Sequence, residues 1–288
     1  MLLRTIALLH NPAKSGALQL RNRTEALLTA AGIRTLTADT GAELYERDFA
    51  NEQVELTLVF GGDGTFLGVA RRLAPYGLPL LGINAGHLGF LTEAEPADLE
   101  DTVNKVVERE YQLEQRLMIE AQVVRGGEVQ ACLIGLNDAG IGKGGLARMV
   151  TVDAYVDGVY LDTYSGDGVI ISTPTGSTAY SLSGGGPLVV PHLNVMLITP
   201  ICPHTLFSRP CVINDTQVVR LVVHANHDEV GLTLDGQEGF KLDPGDEVWV
   251  RRSAHVTTLV KWHGHHFFDV LRDKLRHPEV APEPYRPS

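Results

Sequence analysis

Leu56-Thr57-Leu58-Val59-Phe60-Gly61-Gly62-Asp63-Gly64-Thr65-Phe66-Leu67-Gly68-Val69-Ala70-Arg71-Arg72-Leu73 joins an apolar run to a helical pattern through a cluster of glycines. Residues 56–60 read as a short strand buried on both faces. Apolar residues at 66, 69, 70 and 73 give the spacing of a helix. The unit is therefore a strand, a glycine turn and a helix start. Glycines let the backbone take positive φ and let a ligand approach the main chain. Unpaired N–H groups at a helix start favour anions, phosphate above all. Gly61, Gly62, Gly64 and Thr65 are thus candidate phosphate-binding residues. Asp63 would repel a bare phosphate, so the motif calls for a metal ion or for a proton to be moved. The plainer alternative is a tight turn with Asp63 as a helix cap.

On the N-terminal side, residues 4–9 form a predicted strand and 10–16 a loop. Residues 17–31 read as a helix, with Leu20, Leu27, Leu28 and Ala31 on one face and Gly32 as the C-terminal cap. A second strand is expected at 33–37. Downstream, 78–83 is another strand, 84–90 a loop, and 96–109 a helix with Leu99, Val103, Val106 and Val107 in one stripe. Strands alternating with helices imply a parallel sheet with helical crossovers. Ligands in such sheets sit beyond the carboxyl ends of the strands. The loops at 10–16, 61–65 and 84–90 would meet at that edge.

Near residue 112 the pattern changes to strands and short turns. Residues 117–124 and 128–136 flank Arg125-Gly126-Gly127 as one hairpin. Residues 151–156 and 159–163 flank Asp157-Gly158 as another, with the dipeptide that type I′ turns favour. Residues 218–223 and 230–234 are read as a third hairpin, and 247–251 with 256–260 as a fourth pair. Hairpins of this size suggest an antiparallel sandwich. Residues 267–275 form a predicted amphipathic helix that packs back on the first domain, and the proline-bearing end beyond it is expected to be disordered. The expected architecture is an N-terminal Rossmann-like α/β domain plus a C-terminal antiparallel β-sandwich domain. The first comprises 1–110 and 264–288, the second 111–263.

The β region holds a second polar constellation. A strand over 167–172 leads into Thr173-Pro174-Thr175-Gly176-Ser177-Thr178-Ala179-Tyr180-Ser181-Leu182-Ser183, where seven of eleven residues carry hydroxyls. That density beside close-approach glycines suits a polyhydroxylated ligand such as a nucleoside. The alternative is a serine- and threonine-rich surface loop. Asn137 and Asp138 pair an amide with a carboxylate at a strand end, able to read ribose hydroxyls or to make a turn. Asp235-Gly236-Gln237 is first a turn signal. His263, His265 and His266 lack a carboxylate or cysteine at ligand spacing and are read as solvated or packing residues.

The chain has 288 residues, 44% of them hydrophobic, enough for two packed domains. Its 35 acidic and 24 basic residues give a net charge of −11, opposite to that of a general nucleic-acid or anionic-membrane binder. Cys132, Cys202 and Cys211 form no CxxC pair, so neither a disulfide framework nor a zinc site is expected, and a reducing compartment fits. The first ten residues are apolar over too short a span for a leader and lack a cleavage pattern. No run approaches the ~18 apolar residues of a membrane span. A soluble cytoplasmic protein is expected.

These motifs occur in one order: Gly61-Gly62-Asp63-Gly64-Thr65, Gly82-Ile83-Asn84, Leu88-Gly89-Phe90-Leu91, Leu136-Asn137-Asp138, residues 173–181, Pro203-His204-Thr205-Leu206 and Asp235-Gly236-Gln237. The series resembles the bacterial NAD kinase family from the first strand to the last helix. The threonine-serine stretch is the specific part, since diacylglycerol kinases share the glycine motif. The resemblance implies transfer of the ATP γ-phosphoryl group to the 2′-hydroxyl of the adenosine ribose of NAD. It implies a divalent cation, usually Mg²⁺, whose ligands it leaves unassigned, and a homodimer or homotetramer. It places Asp63 facing the accepting hydroxyl as the catalytic base, with Gly64 beside it. It assigns Asn137, Asp138, Asp167, Thr178, Ala179, Tyr180, Ser181, Leu182 and Ser183 to the dinucleotide. Arg148, Ser165 and Gln237 align with further contact positions. The family more often has Glu where this chain has Asp138, and Arg and Asn where it has Ala85 and His87. Two alternatives remain at this point. A lipid kinase is suggested by the 11–16 loop, but no amphipathic membrane-binding element accompanies it. A non-catalytic NAD(P) sensor would have no need of Asp63.

Overall fold

The computed structural model describes residues 5–86, 89–144, 149–204, 208–224, 229–264 and 266–275. The first part alternates β1 (Thr5–His10), α1 (Ala17–Ala30), β2 (Arg34–Asp39), α2 (Ala42–Glu46), β3 (Leu56–Gly61), α3 (Asp63–Leu73), β4 (Leu80–Asn84), β5 (Thr92–Ala94) and α4 (Leu99–Glu108). The second is built of β6 (Gln112–Arg125), β7 (Glu128–Gly135), β8 (Asp138–Lys143), β9 (Val150–Val156), β10 (Val159–Gly166), β11 (Gly168–Ser172), a short α5 (Tyr180–Ser183), β12 (Val195–Ile201), β13 (Cys211–Asn214), β14 (Val219–His224), β15 (Val230–Leu234), β16 (Glu238–Leu242) and β17 (Glu247–Lys261). Helix α6 (Phe267–Leu275) follows.

Strands β2, β1, β3 and β4 pair in parallel, as the alternation of elements requires. Both faces of this sheet are covered. Ile6 and Leu8 pack with Leu28, Leu99 and Val103 on one side. Ala7 and Leu9 pack with Phe66, Val69 and Leu73 on the other. Period-two alternation within β1 thus feeds two cores at once. Gly82 in β4 makes room for α3: a Cβ there would lie 2.9 Å from Thr92 Cα and 3.0 Å from the Phe66 ring. Ala31 is exposed, so the buried stripe of α1 is Ala17, Thr24 and Leu28. The helix expected over 96–109 begins with a 3₁₀ turn at Pro96–Asp98 and ends where Arg109 turns left-handed at φ 60°.

Two sheets face each other in the second part. One has the order β13-β12-β11-β8-β15-β16 and is antiparallel. The other contains β10-β9-β14-β17, with β6 paired to β17 and β7 to β6. Ile119, Ala121 and Val123 from one sheet and Ile141, Val169 and Ile198 from the other share a core. The Asp157-Gly158 turn has φ of 50° and 79°, both positive as a type I′ turn demands.

Two expectations are corrected. Strands β14 and β15 do not pair: the first joins β9 and β17, the second joins β8 and β16 in the opposite sheet. Both have the alternation of a half-buried strand, and that pattern does not say which neighbour a strand takes. Residues 247–261 form one long strand with a bulge between Arg252 and Val256, where two strands were expected. After the bulge β17 pairs with β4 through Leu259 and Leu80, so the parallel sheet and one layer of the sandwich are a single sheet of eleven strands. Glu93 fixes this seam, accepting from the Lys261 ammonium and from the backbone N–H of Trp262. Helix α6 lies at the same junction: Phe267, Phe268 and Val270 line a cavity with Phe90, Leu91, Arg116 and His192.

Candidate active site

Asp63 is the first residue of α3, after an extended Gly62 at φ −117° and ψ −174°. No side chain caps this helix end. The first-turn N–H groups therefore have no intrahelical partner. Gly61, Gly62 and Gly64 all lie outside the left-handed region, contrary to the expectation of positive φ. Crowding explains the glycine at 61: a Cβ there would come within 2.6 Å of Thr65 Cβ, in the first turn of the helix. At Gly62 a Cβ would meet nothing within 4 Å, so that position opens onto free space.

That space is a cavity of about 580 Å³ lined by Asn11, Lys14, Gly62, Asp63, Gly64, Thr65, Arg71, Gln237 and Glu238, among others. Lys14, Ser15, Gly61, Gly62 and Asn84 border a second one of about 420 Å³ beside it. Asn11 anchors the covering loop: its Nδ2 donates to Thr65 Oγ1 at 2.8 Å and its Oδ1 accepts from Ala13 N at 2.9 Å. The three loops expected at the carboxyl edge of the sheet do converge there.

The Asp63 carboxylate is held by main chain. Its Oδ2 accepts from Phe90 N at 2.8 Å and its Oδ1 from Leu91 N at 3.1 Å. Gly89 lets this loop come so close, since a Cβ there would stand 1.8 Å from Asp63 Oδ1. Thr178 lines the same cavity as Phe90 and Leu91, so the residues that hold Asp63 border the hydroxyl-rich stretch.

Asn137 and Asp138 stand where the chain passes from β7 to β8, at the start of a strand and not its end. Thr173 N donates to Asn137 O at 2.8 Å, and a Cβ on Gly176 would lie 2.0 Å from that oxygen. The hydroxyl-rich loop is thus pressed onto Asn137 by a glycine that cannot carry a side chain. Most of its hydroxyls serve the loop itself. Thr173 Oγ1 donates to Leu136 O, Ser177 Oγ exchanges bonds with the main chain of Val189, and Ser181 Oγ pairs with Thr199 Oγ1. Tyr180 is 52% exposed. It borders a trough floored by Gly140, Gly142, Gly144 and Gly231. Ala179, Leu182 and Ser183 flank it, none of them fully buried. Asp167 pairs with Lys143 at 2.8 Å, and Ser165 Oγ bonds Thr151 Oγ1 at 2.9 Å. Arg148 lies outside the described residues.

Asp138 is only 4% exposed. Burial, and then the nearby Asp235 carboxylate, push its pKa up to about 7. Asp235 itself is tied to four donors. Its Oδ1 accepts from Asn137 N at 2.7 Å and Asp138 N at 3.2 Å, and its Oδ2 from Leu136 N at 3.1 Å and Arg71 Nη1 at 2.7 Å. Gln237 Nε2 donates to Gly64 O at 2.7 Å. One continuous network thereby runs from the glycine loop through the 235–237 turn to Asn137, Asp138 and the hydroxyl-rich loop. Sequence reasoning missed Arg71, the close approach that Gly89 allows to Asp63, and the structural weight of Asp235. Arg71 follows Asp63 by two helical turns on an otherwise apolar face, which is the one signal the sequence offered.

Among the described residues no group of three or more His, Cys, Asp or Glu is placed to hold a metal ion. The carboxylates that line the main cavity are Asp63 and Glu238. Mg²⁺ ordinarily takes one or two carboxylates and completes its shell with phosphate oxygens and water. This donor set fits a cation that arrives with a polyphosphate.

A phosphoryl-transferring enzyme, a kinase, is the class that this fold and site define. The models of the ATP-NAD kinase N-terminal and C-terminal domains match residues 6–111 and 136–262. The chain belongs to the bacterial NAD kinase family. It is 47% identical to an NAD kinase of Caldanaerobacter subterraneus over 77% of this chain and 78% of that protein. It is 39% identical to one of Natranaerobius thermophilus over 95% and 98%. In three dimensions it is similar to a yeast NADH kinase complexed with NADH, with a TM-score of 0.86 at 22% identity, covering 99% of this chain and 90% of that one. An NAD kinase from Archaeoglobus fulgidus in complex with ATP gives a TM-score of 0.76 at 24% identity over 94% and 98%. At such identities the two structures speak for the fold.

Proposed function

We infer that this chain transfers the γ-phosphoryl group of ATP to the 2′-hydroxyl of the adenosine ribose of NAD. The observation that carries the reading is the place of Asp63: it heads the helix of the glycine loop and is held by the loop that borders Thr178. Residues 1–110 and 264–288 serve the donor, and residues 111–263 serve the acceptor. Phosphates lie against Gly61, Gly62, Gly64 and Thr65, where helix-start N–H groups and Lys14 supply positive potential. NAD enters between Asn137–Asp138 and the 178–183 stretch. Asp138 and Asn137 take the adenosine end, and the exposed Tyr180 ring, Asp167 and Ser165 lie along the remainder. The glycine trough next to Tyr180 leaves a flat floor for that remainder. Gln237 and Arg148 complete the assignment from the family pattern.

Asp63 accepts the 2′-hydroxyl proton as the ribose oxygen attacks the γ-phosphorus, and the bond to the β-phosphate oxygen breaks to release ADP. The Phe90 and Leu91 N–H groups fix the direction from which the carboxylate works. A Mg²⁺ ion carried by the triphosphate, with Asp63 and Glu238 as the carboxylates in reach, would neutralise phosphate charge. The protein is proposed to act in the cytoplasm, in keeping with three free cysteine thiols. It is proposed to assemble as a homodimer or homotetramer. In support, Tyr160, Tyr155, Arg220 and Trp249 form one cross-strand row on the outer face of the large sheet, with Tyr160 and Trp249 exposed. A lipid kinase is disfavoured by the match to both NAD kinase domain models, and a sensor by the retained Asp63.

Purified protein given NAD, ATP and Mg²⁺ is expected to form NADP, and Asp63→Asn to bind NAD while losing at least ~10² in kcat. Near-normal turnover by that variant would rule out the role given to Asp63.

A further inference from the structure

Arg71 lines the cavity beside the glycine loop, but its three polar contacts go to one turn, and it is 7% exposed. Its Nη1 donates to Asp235 Oδ2 at 2.7 Å, its Nη2 to Gln237 Oε1 at 2.7 Å, and its Nε to Glu238 Oε1 at 3.5 Å. The first two partners each pass the connection on. Asp235, whose side chain is wholly buried, grips the backbone N–H groups of Leu136, Asn137 and Asp138. Gln237 is turned by Arg71 so that its Nε2 donates to Gly64 O, directly beside Asp63. The guanidinium therefore stands between the residue read as the base and the residues read as the acceptor site, bonded to the carriers of both.

We propose that Arg71 and Asp235 are positioning residues that fix the distance between Asp63 and Asn137–Asp138, so that substrate binding and phosphoryl transfer depend on them differently. The proposal rests on the kinase reading above. A planar guanidinium presents several donors in a rigid fork, which a lysine ammonium cannot match. Replacing it by Lys keeps the charge beside Asp235 but gives up the simultaneous hold on Gln237. Each half of the site would remain intact while their mutual placement loosens. Misplacement of about 1 Å between reacting groups costs about 10² in rate.

The test compares Arg71→Lys and Asp235→Asn with the parent chain in two ways. Kinetics with NAD, ATP and Mg²⁺ should show kcat reduced by about 10²-fold, with the KM values for both substrates within about threefold of the parent's. Amide hydrogen exchange of the ligand-free protein should accelerate at 136–138 and at 66–68, the first hydrogen-bonded amides of α3, together, and stay unchanged in β1 and β3. Parent-like kcat in either folded variant overturns the proposal. So does faster exchange confined to 235–238. If the parent forms no NADP the kinase reading fails by itself. The exchange result still decides whether Arg71 links the two segments, and parent-like exchange at 136–138 then rejects that link.

Discussion

Replacing Asp138 by Asn should change how the stability of the protein depends on pH. In the folded chain this carboxyl is buried beside the Asp235 carboxylate and titrates near 7, against 3.8 for the free group. The folded state therefore holds the proton more tightly than the unfolded state. Unfolding releases it in the window between those values, and stability falls as pH rises through that window. Above about pH 7 the folded chain bears the full cost of ionising a buried group. About three pKa units at 1.36 kcal/mol each set a ceiling of about 4 kcal/mol. A carboxamide at this position has no proton to lose, so the Asp138→Asn variant escapes the decline. Urea unfolding followed by circular dichroism between about pH 4.5 and pH 8 should show the variant gaining on the parent by roughly 3 kcal/mol across the range. The contributions of titrating groups that do not interact with Asp138 cancel in that difference. A gap between variant and parent that stays constant within about 0.5 kcal/mol would refute the claim that Asp138 is protonated by its surroundings.

Three other outcomes follow from the geometry. Gly89→Ala would place a methyl 1.8 Å from Asp63 Oδ1, so turnover should fall by at least ~10² and stability by about 1–3 kcal/mol, and normal steady-state rates would contradict the account of how Asp63 is held. At Gly142 the nearest atom to a new Cβ is Asp167 O at 3.8 Å. Gly142→Ala should accordingly melt at or slightly above the parent temperature while its KM for NAD rises, and an unchanged KM would show that the trough takes no part in binding. Chelation with EDTA should abolish NADP formation and added Mg²⁺ restore it, while the urea unfolding curve stays put, if the cation is held mainly by the nucleotide as proposed. A shifted unfolding curve would point instead to a metal held by the protein.

The parallel sheet was legible because β1, β3 and β4 are continuous apolar runs separated by helices of clear periodicity. The glycine motif announced its strand and helix for the same reason. What the pattern hid was partnership. The alternation of Val219–His224 and of Val230–Leu234 is the same whether they pair with each other or lie in opposite sheets. The bulge at 252–256 read as a turn because Arg252, Ser253 and His255 interrupt the alternation. At the site, residue types with evident chemistry were easy to find: Asp63, Asn137 and the hydroxyl-rich stretch. The residues that place them were not. Gly89 matters because of an atom 26 positions away in the chain, and Asp235 because of three N–H groups nearly a hundred positions away. Local composition carries no trace of such contacts. The hydroxyls of Ser177 and Ser181 show the reverse case, in which a suggestive composition is spent largely on shaping the loop.

Because β17 lays its far end along β4, the α/β half has no free border where the sandwich begins. Severing the gene after residue 110 would strip β4 of that neighbour and bare the start of the strand at Leu80, where β5 does not reach, inviting the fragment to stick to itself. The two halves share one woven board and are poorly suited to swinging apart as rigid leaves on a hinge. Adjustment to a ligand should consequently be sought in the loops that overhang the board, such as the 11–16 cover and the 89–91 strap.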